Sequence, residues 1–216
     1  MVFIAVVGNI GVGKSTLVKK IAERFGFRLF IEKADSPLLA KFYKDMEKGV
    51  KPSENAYLLQ LHYLLIRATM HLDMQHYEGD SVQDRTIYED ATIFAKHQYE
   101  LGFISNKRYK DYLDIFEKCV KSLREPDLLI FLTAPVDVLK ERIKKRLKED
   151  KSRVSEKPLL NPKNNYLKDL NESYFHFMNN YGGEKILIPS SDFNFVDNPR
   201  DLEIVLDKIR EKIFEK

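Results

Sequence analysis

At 216 residues the chain is long enough to bury a sizeable core, and its length favours one domain spanning 1–216 rather than two. Its 36 basic and 33 acidic residues leave a formal net charge of +3, so no overall field drives it onto nucleic acid or a membrane. A hydrophobic share of 44% and a charged share of 32% suit a globular protein, and the lone Cys119, read as a buried thiol, excludes an intrachain disulfide and points to a reducing, cytoplasmic setting.

Residues 2–7 form a continuous apolar run that reads as a strand; it is too short for a signal peptide, and no segment reaches the ~20 apolar residues of a membrane span. A glycine-rich turn follows, then a helix over 15–25 with apolar residues at Leu17, Val18, Ile21 and Ala22. Phe27 to Ile31 is a second short strand that leads into Glu32. Helices are expected over 36–48 and 54–76, the second with an apolar face of Tyr57, Leu61, Leu64, Leu65 and Ala68.

Residues 80–83 read as a central strand entering Asp84-Arg85-Thr86, although only Val82 is apolar there. Helices are predicted over 88–101 and 106–123, the latter capped by Ser105. A buried-type strand at 127–132, a basic helix at 135–149, a polar stretch at 150–163, a helix at 164–181, a strand at 185–189 and a helix at 200–214 complete the chain. Strands separated by helices predict an α/β fold with a parallel sheet of about five strands covered on both faces.

The turn after the first strand reads Gly8-Asn9-Ile10-Gly11-Val12-Gly13-Lys14-Ser15-Thr16, a complete GxxxxGK[ST] phosphate-binding loop. Its small residues let backbone N–H groups curl around phosphates, and the helix N-terminus adds a positive dipole. Lys14 would reach the transferred phosphate and the Ser15 hydroxyl would ligate Mg²⁺, which makes ATP and Mg²⁺ the expected cofactors. A GTPase switch would carry a strand ending in aspartate and an Asn-Lys-x-Asp box; the strand at 128–132 instead runs into Thr133, and no such box occurs.

Three groups of residues suggest an acceptor. Glu32 and the pair Asp84-Arg85 stand at the C-terminal ends of predicted strands, the edge where parallel sheets build their sites. A carboxylate there suits proton removal from an attacking hydroxyl, Asp84 suits a metal ion and Arg85 suits developing phosphoryl charge. Gln60 and Arg67 share one face of the long helix, and Asp90 gives them an acidic partner; the three can either read a nucleobase edge or form a plain salt bridge. The basic run Arg142, Lys144, Lys145, Arg146, Lys148, Lys151 and Arg153 suits a cationic lid over a triphosphate, with a nucleic-acid patch as the alternative.

Taken in order, these residues resemble the deoxynucleoside kinase family, and within it the bacterial deoxyadenosine and deoxyguanosine kinases. The resemblance runs from Gly8 to Thr16 through Glu32, Phe42-Tyr43-Lys44-Asp45, Leu58-Leu59-Gln60 with Arg67, and Asp84-Arg85-Thr86-Ile87-Tyr88-Glu89-Asp90-Ala91. It continues in Pro126 to Ile130, Arg142 to Arg146 and Tyr166 to Asn171.

The resemblance implies a P-loop kinase fold of three layers and transfer of the ATP γ-phosphate to a deoxynucleoside 5′-hydroxyl, with a purine and first of all deoxyadenosine as acceptor. It makes Glu32 the general base, Gln60, Arg67 and Asp90 the base-reading trio, and Tyr43 the partner of the 3′-hydroxyl. Arg142 and Arg146 match lid arginines in a lid over about 142–163, and Asp197 lies in a segment, Phe195 to Asn198, like the one that contacts adenine. It also implies a homodimer, with neither nucleic acid nor membrane as partner. Where the family's lid often reads arginine-glycine-arginine, this chain has Arg146-Leu147-Lys148 and added residues, which leaves Glu156 as the candidate lid glutamate. A thymidylate-type nucleotide kinase shares the loop, an Asp-Arg pair and a basic lid, and stands as the alternative enzyme.

Overall fold

The computed structural model describes residues 1–31 and 36–214. Five parallel strands form one sheet in the order β2-β3-β1-β4-β5: β1 (Phe3–Gly8), β2 (Arg28–Phe30), β3 (Ser81–Asp84), β4 (Leu128–Thr133) and β5 (Lys185–Pro189). β1 lies at the centre, and its six residues, all apolar or glycine, are all buried between the layers on the two faces of the sheet. Registers such as Ile4 with Val82 and Ile4 with Leu128 bring the C-terminal ends of β1, β3 and β4 to one edge.

The helices are α1 (Lys14–Phe25), α2 (Pro37–Lys48), α3 (Glu54–Gln75), α4 (Ile87–Glu89), α5 (Lys96–Glu100), α6 (Asn106–Val120), α7 (Val136–Glu149), α8 (Tyr166–Asn180) and α9 (Pro199–Phe214). Their ends follow local chemistry. Gly26 and Gly49 close α1 and α2 in the left-handed region, while the hydroxyls of Ser36, Ser53 and Ser105 cap α2, α3 and α6 by accepting first-turn N–H bonds.

β3 is buried throughout although Val82 is its one apolar residue. Backbone pairing to β1 and β2 holds it, so ladder bonds do what side-chain hydrophobicity does elsewhere. The predicted helix over 88–101 is broken between α4 and α5 by a π-helical turn, Asp90–Ala95. The polar stretch 150–163 is ordered as a 3₁₀ segment, Lys151–Leu160, packed against α7 and α2. Two side-chain expectations change: Cys119 is half-buried, and Leu65 is 56% exposed rather than on the inner face of α3.

Candidate active site

The phosphate loop follows β1 because glycine alone tolerates its backbone. Gly8, Gly11 and Gly13 have φ of 145°, 81° and 107°, and a Cβ on Gly8 would lie 2.4 Å from the Leu132 carbonyl oxygen. Lys14 Nζ folds back into the loop and donates to the carbonyl oxygens of Gly8 at 2.8 Å and Asn9 at 2.9 Å. Burial, followed by the neighbouring Arg85 guanidinium, lowers its pKa to about 7. Asn9 fixes the loop from another side: its Nδ2 donates to the Leu167 carbonyl and to Asn171 Oδ1 on α8.

β3 ends beside this loop, since Val6 pairs with Asp84 and the Arg85 N–H donates to the Val6 carbonyl at 2.9 Å. Ser15 Oγ donates to Asp84 Oδ2 at 2.5 Å, and Asp84 Oδ1 is buried with no hydrogen-bond partner among the described residues. Hydroxyl and carboxylate thus meet at the mouth of the loop, and their oxygen donors suit a small divalent cation.

From Lys14, Ser15, Asp84 and Arg85 a cavity of about 170 Å³ runs inward between α2, α3 and the π turn. Gln60, Arg67 and Asp90 line it, each 2% exposed. Arg67 Nε pairs with Asp90 Oδ2 at 2.6 Å and Arg67 Nη1 donates to the Asp84 carbonyl at 3.3 Å, while Gln60 Oε1 has no partner among the described residues. The salt bridge expected as one of the two alternatives is therefore present: it fixes Arg67 and Asp90 against the cavity, beside a Gln60 carbonyl oxygen that has no partner among the described residues. Tyr43 also lines the cavity, and burial raises its pKa well above the usual value, so it stays a neutral donor.

The lid expectations divide. Arg146 faces the cavity and its Nη2 donates to Glu156 Oε2 at 2.5 Å, and Arg153 Nη1 donates to Glu156 Oε1 at 3.3 Å. Glu156, 7% exposed, therefore lines the cavity between two arginines. Arg142 does not line the cavity. Its guanidinium is engaged by the Val12 carbonyl at 3.0 Å and by Ser190 Oγ at 2.8 Å and Ser190 O at 2.6 Å, which makes it a brace on the phosphate loop. Asp197 is an exposed loop residue outside the cavity, but its neighbour Phe195 is buried and approaches Gly13, so the segment lies against the phosphate loop. Glu32 lies outside the described residues.

Several lining residues had no sequence signal of their own. Phe94 and Gln98 follow Asp90 at intervals of four and face the cavity with it, a stripe shaped by the wider π turn. Tyr63 and Tyr166 also line it, as does Arg153, which the sequence shows only as one of a run of cations. Gln98 Oε1 is buried without a partner among the described residues.

A phosphate loop opening onto a pocket that is cationic near the loop and polar within, with two buried amide oxygens lacking partners among the described residues, defines a P-loop kinase with a small acceptor. The chain belongs to the deoxynucleoside kinase family, whose sequence model matches residues 4–214. It is an ATP-dependent deoxynucleoside kinase. It is 31% identical over 210 residues to a deoxyadenosine/deoxycytidine kinase of Bacillus subtilis (strain 168), covering 95% of this chain and 90% of that protein. It is 34% identical over 215 residues to a deoxyadenosine kinase of Lactobacillus acidophilus, covering 96% of this chain and 94% of that protein. The structure of a deoxyadenosine kinase from M. mycoides with bound dATP superposes with a TM-score of 0.76 at 24% identity, covering 97% of this chain and all of that one, which shows the shared fold.

Proposed function

We propose that this kinase, working as one domain, transfers the ATP γ-phosphate to the 5′-hydroxyl of a purine deoxynucleoside, with deoxyadenosine preferred. The observation that carries the base preference is the buried Gln60 amide beside the Arg67–Asp90 pair. An amide offers one acceptor and one donor side by side, which matches the amino group and ring nitrogen along an adenine edge. Cytosine presents the same pair of groups, so deoxycytidine is the expected second substrate. The names of the Bacillus and Lactobacillus relatives support both choices.

In this reading Tyr43 and Glu156 hold the sugar, and Lys14, Arg85, Arg146 and Arg153 surround the transferring phosphoryl group. Glu32, two residues beyond the end of β2, removes the proton of the 5′-hydroxyl. Ser15 and Asp84 would hold Mg²⁺, which when bound neutralises charge on the triphosphate. Phe195 to Asn198 provides the adenine end of the ATP site. The working form is a cytoplasmic homodimer, supported by the apolar outer face of α3, where Leu58, Leu65 and Leu72 are all exposed.

The test is a panel of the four deoxynucleosides and dTMP with ATP and Mg²⁺. Deoxyadenosine is expected to give the highest kcat/KM and deoxycytidine the next. Turnover of dTMP alone would sink the nucleoside reading and leave a nucleotide kinase. Among the variants, Glu32→Gln is expected to lower kcat at least a hundredfold with ATP affinity retained, and near-normal kcat would remove Glu32 as the base.

A further inference from the structure

Arg85 is the residue on which the proposed mechanism places part of the phosphoryl charge, and the role inferred for its neighbours rests on that reading. With φ of 67° it is the one non-glycine residue at positive φ among the described residues, a conformation that crowds its Cβ. The surrounding bonds impose it. Its N–H is committed to Val6 at the end of the sheet, and the next N–H, that of Thr86, donates to Glu89 Oε2 at 2.8 Å and starts α4. Between these two fixed points the chain must turn sharply, and the turn presents the Arg85 side chain to the cavity.

The guanidinium is then held from three directions. Nη1 donates to Glu89 Oε1 at 3.1 Å and to the Tyr174 hydroxyl oxygen at 2.6 Å, and Phe94 offers its ring face 4.8 Å from Cζ. The Tyr174 hydroxyl in turn donates to Glu89 Oε1 at 2.5 Å, closing a triangle. Glu89 is fully buried and Tyr174 is 4% exposed, yet neither lines the cavity. Burial pushes the Tyr174 pKa well above its usual value, so the hydroxyl remains a donor at any working pH. One carboxylate thus serves two structures at once: Oε2 starts the helix and Oε1 orients the arginine.

We propose that Glu89 and Tyr174 are positioning residues that set the plane of the Arg85 guanidinium before substrates arrive. A guanidinium free to rotate would have to be oriented during the reaction, whereas one fixed at Nη1 meets the developing charge without reorganisation. A buried ion pair adds little net stability compared with an apolar substitute, so a triangle placed directly behind a cavity cation is better explained by orientation than by stability. Glu89 ends α4 and Tyr174 comes from α8, which follows the 3₁₀ segment, so the arginine is oriented jointly by two helices far apart in sequence.

The experiment is a double-mutant cycle, run with the deoxynucleoside the enzyme turns over fastest. Tyr174→Phe removes one hydroxyl, and Glu89→Gln keeps shape while removing charge. Each is expected to lower kcat about ten- to a hundredfold with KM shifted much less, as outer contacts to a reacting group do. In an Arg85→Ala background adding Tyr174→Phe should change kcat less than about twofold, because the group it orients is gone, and in an Arg85→Lys background, where a cation remains but has no guanidinium plane to set, it should cost less than in the wild type. The same loss in all backgrounds, unchanged kcat in Tyr174→Phe, or failure of both single variants to fold would overturn the proposal. Near-normal kcat in Arg85→Ala itself would remove the role of Arg85 instead, which keeps the two failures apart.

Discussion

Ser15 Oγ and Asp84 Oδ2 are 2.5 Å apart, joining the first turn of α1 to the last residue of β3. The bond spends one Asp84 oxygen and leaves the other buried without a partner among the described residues. A carboxylate in that state is costly unless a cation joins it. Asp84→Asn is therefore expected to lower kcat a hundredfold or more and to raise the Mg²⁺ concentration needed for half-maximal rate, with the melting temperature unchanged or raised. Rates measured across a Mg²⁺ titration check this; an unaltered Mg²⁺ dependence would detach Asp84 from the metal.

Lys14 gives a pH-dependent prediction. Burial and the Arg85 charge lower its pKa to about 7 in the protein without nucleotide. A triphosphate beside it acts in the opposite direction and raises the pKa again. Above pH 7 the free protein carries Lys14 increasingly neutral, so ATP binding must take up a proton, and the uptake should grow between pH 7 and 9. Calorimetry of ATP binding in buffers of different ionisation enthalpy measures it directly. Lys14→Met should abolish the uptake; equal uptake in wild type and variant would assign the proton elsewhere.

Arg142 separates two roles that the sequence does not. Resemblance makes it a lid arginine, while its contacts to Val12 and Ser190 make it a brace under the phosphate loop. A hydrogen bond from a charged group is worth about 1.5–3 kcal/mol, so a loosened loop should weaken ATP binding about tenfold or more. Arg142→Ala is accordingly expected to raise KM for ATP with a smaller loss in kcat. Loss of kcat at unchanged KM would return Arg142 to the transferring phosphoryl group.

The features that the sequence displays plainly are those written in continuous signals. The run before Gly8, the loop itself and the strands near 128–132 and 185–189 combine apolar character with clear stops, and they appear where expected. β3 is poorly visible because its place is set by backbone ladders, and Gln83 at its centre is wholly buried without hydrophobicity. The π turn is invisible to a 3.6-residue period, and with it the Asp90, Phe94 and Gln98 stripe. In the basic run, charge counts cannot tell which cations turn inward. Arg146 and Arg153 do so across a change from α to 3₁₀ geometry, while Arg142 turns to the loop. The Arg85, Glu89 and Tyr174 triangle joins residues 89 apart in sequence, and only the topology brings the third member in.

The outer face of α3 yields the last prediction. Between Glu54 and Asp73 the single charged residue is Arg67, and that one is buried. Solvent therefore meets Leu58 at 40%, Leu65 at 56% and Leu72 at 39% exposure, spaced by sevens along one face. An uncharged stripe of this length on a helix is a poor match for water and a good one for a second copy of itself. The other face of the same helix carries Gln60 and Arg67, so pairing across Leu65 would also stiffen the wall of the cavity. Wild-type protein is expected to sediment at twice the 25.4 kDa chain mass at micromolar concentration, and Leu65→Glu with Leu72→Glu at the chain mass, with helical content retained. Because the cavity wall loses its support, the double variant should also show a raised KM for the deoxynucleoside while ATP binding is little changed. A wild-type protein that sediments as a monomer would rule out this face as a self-association surface.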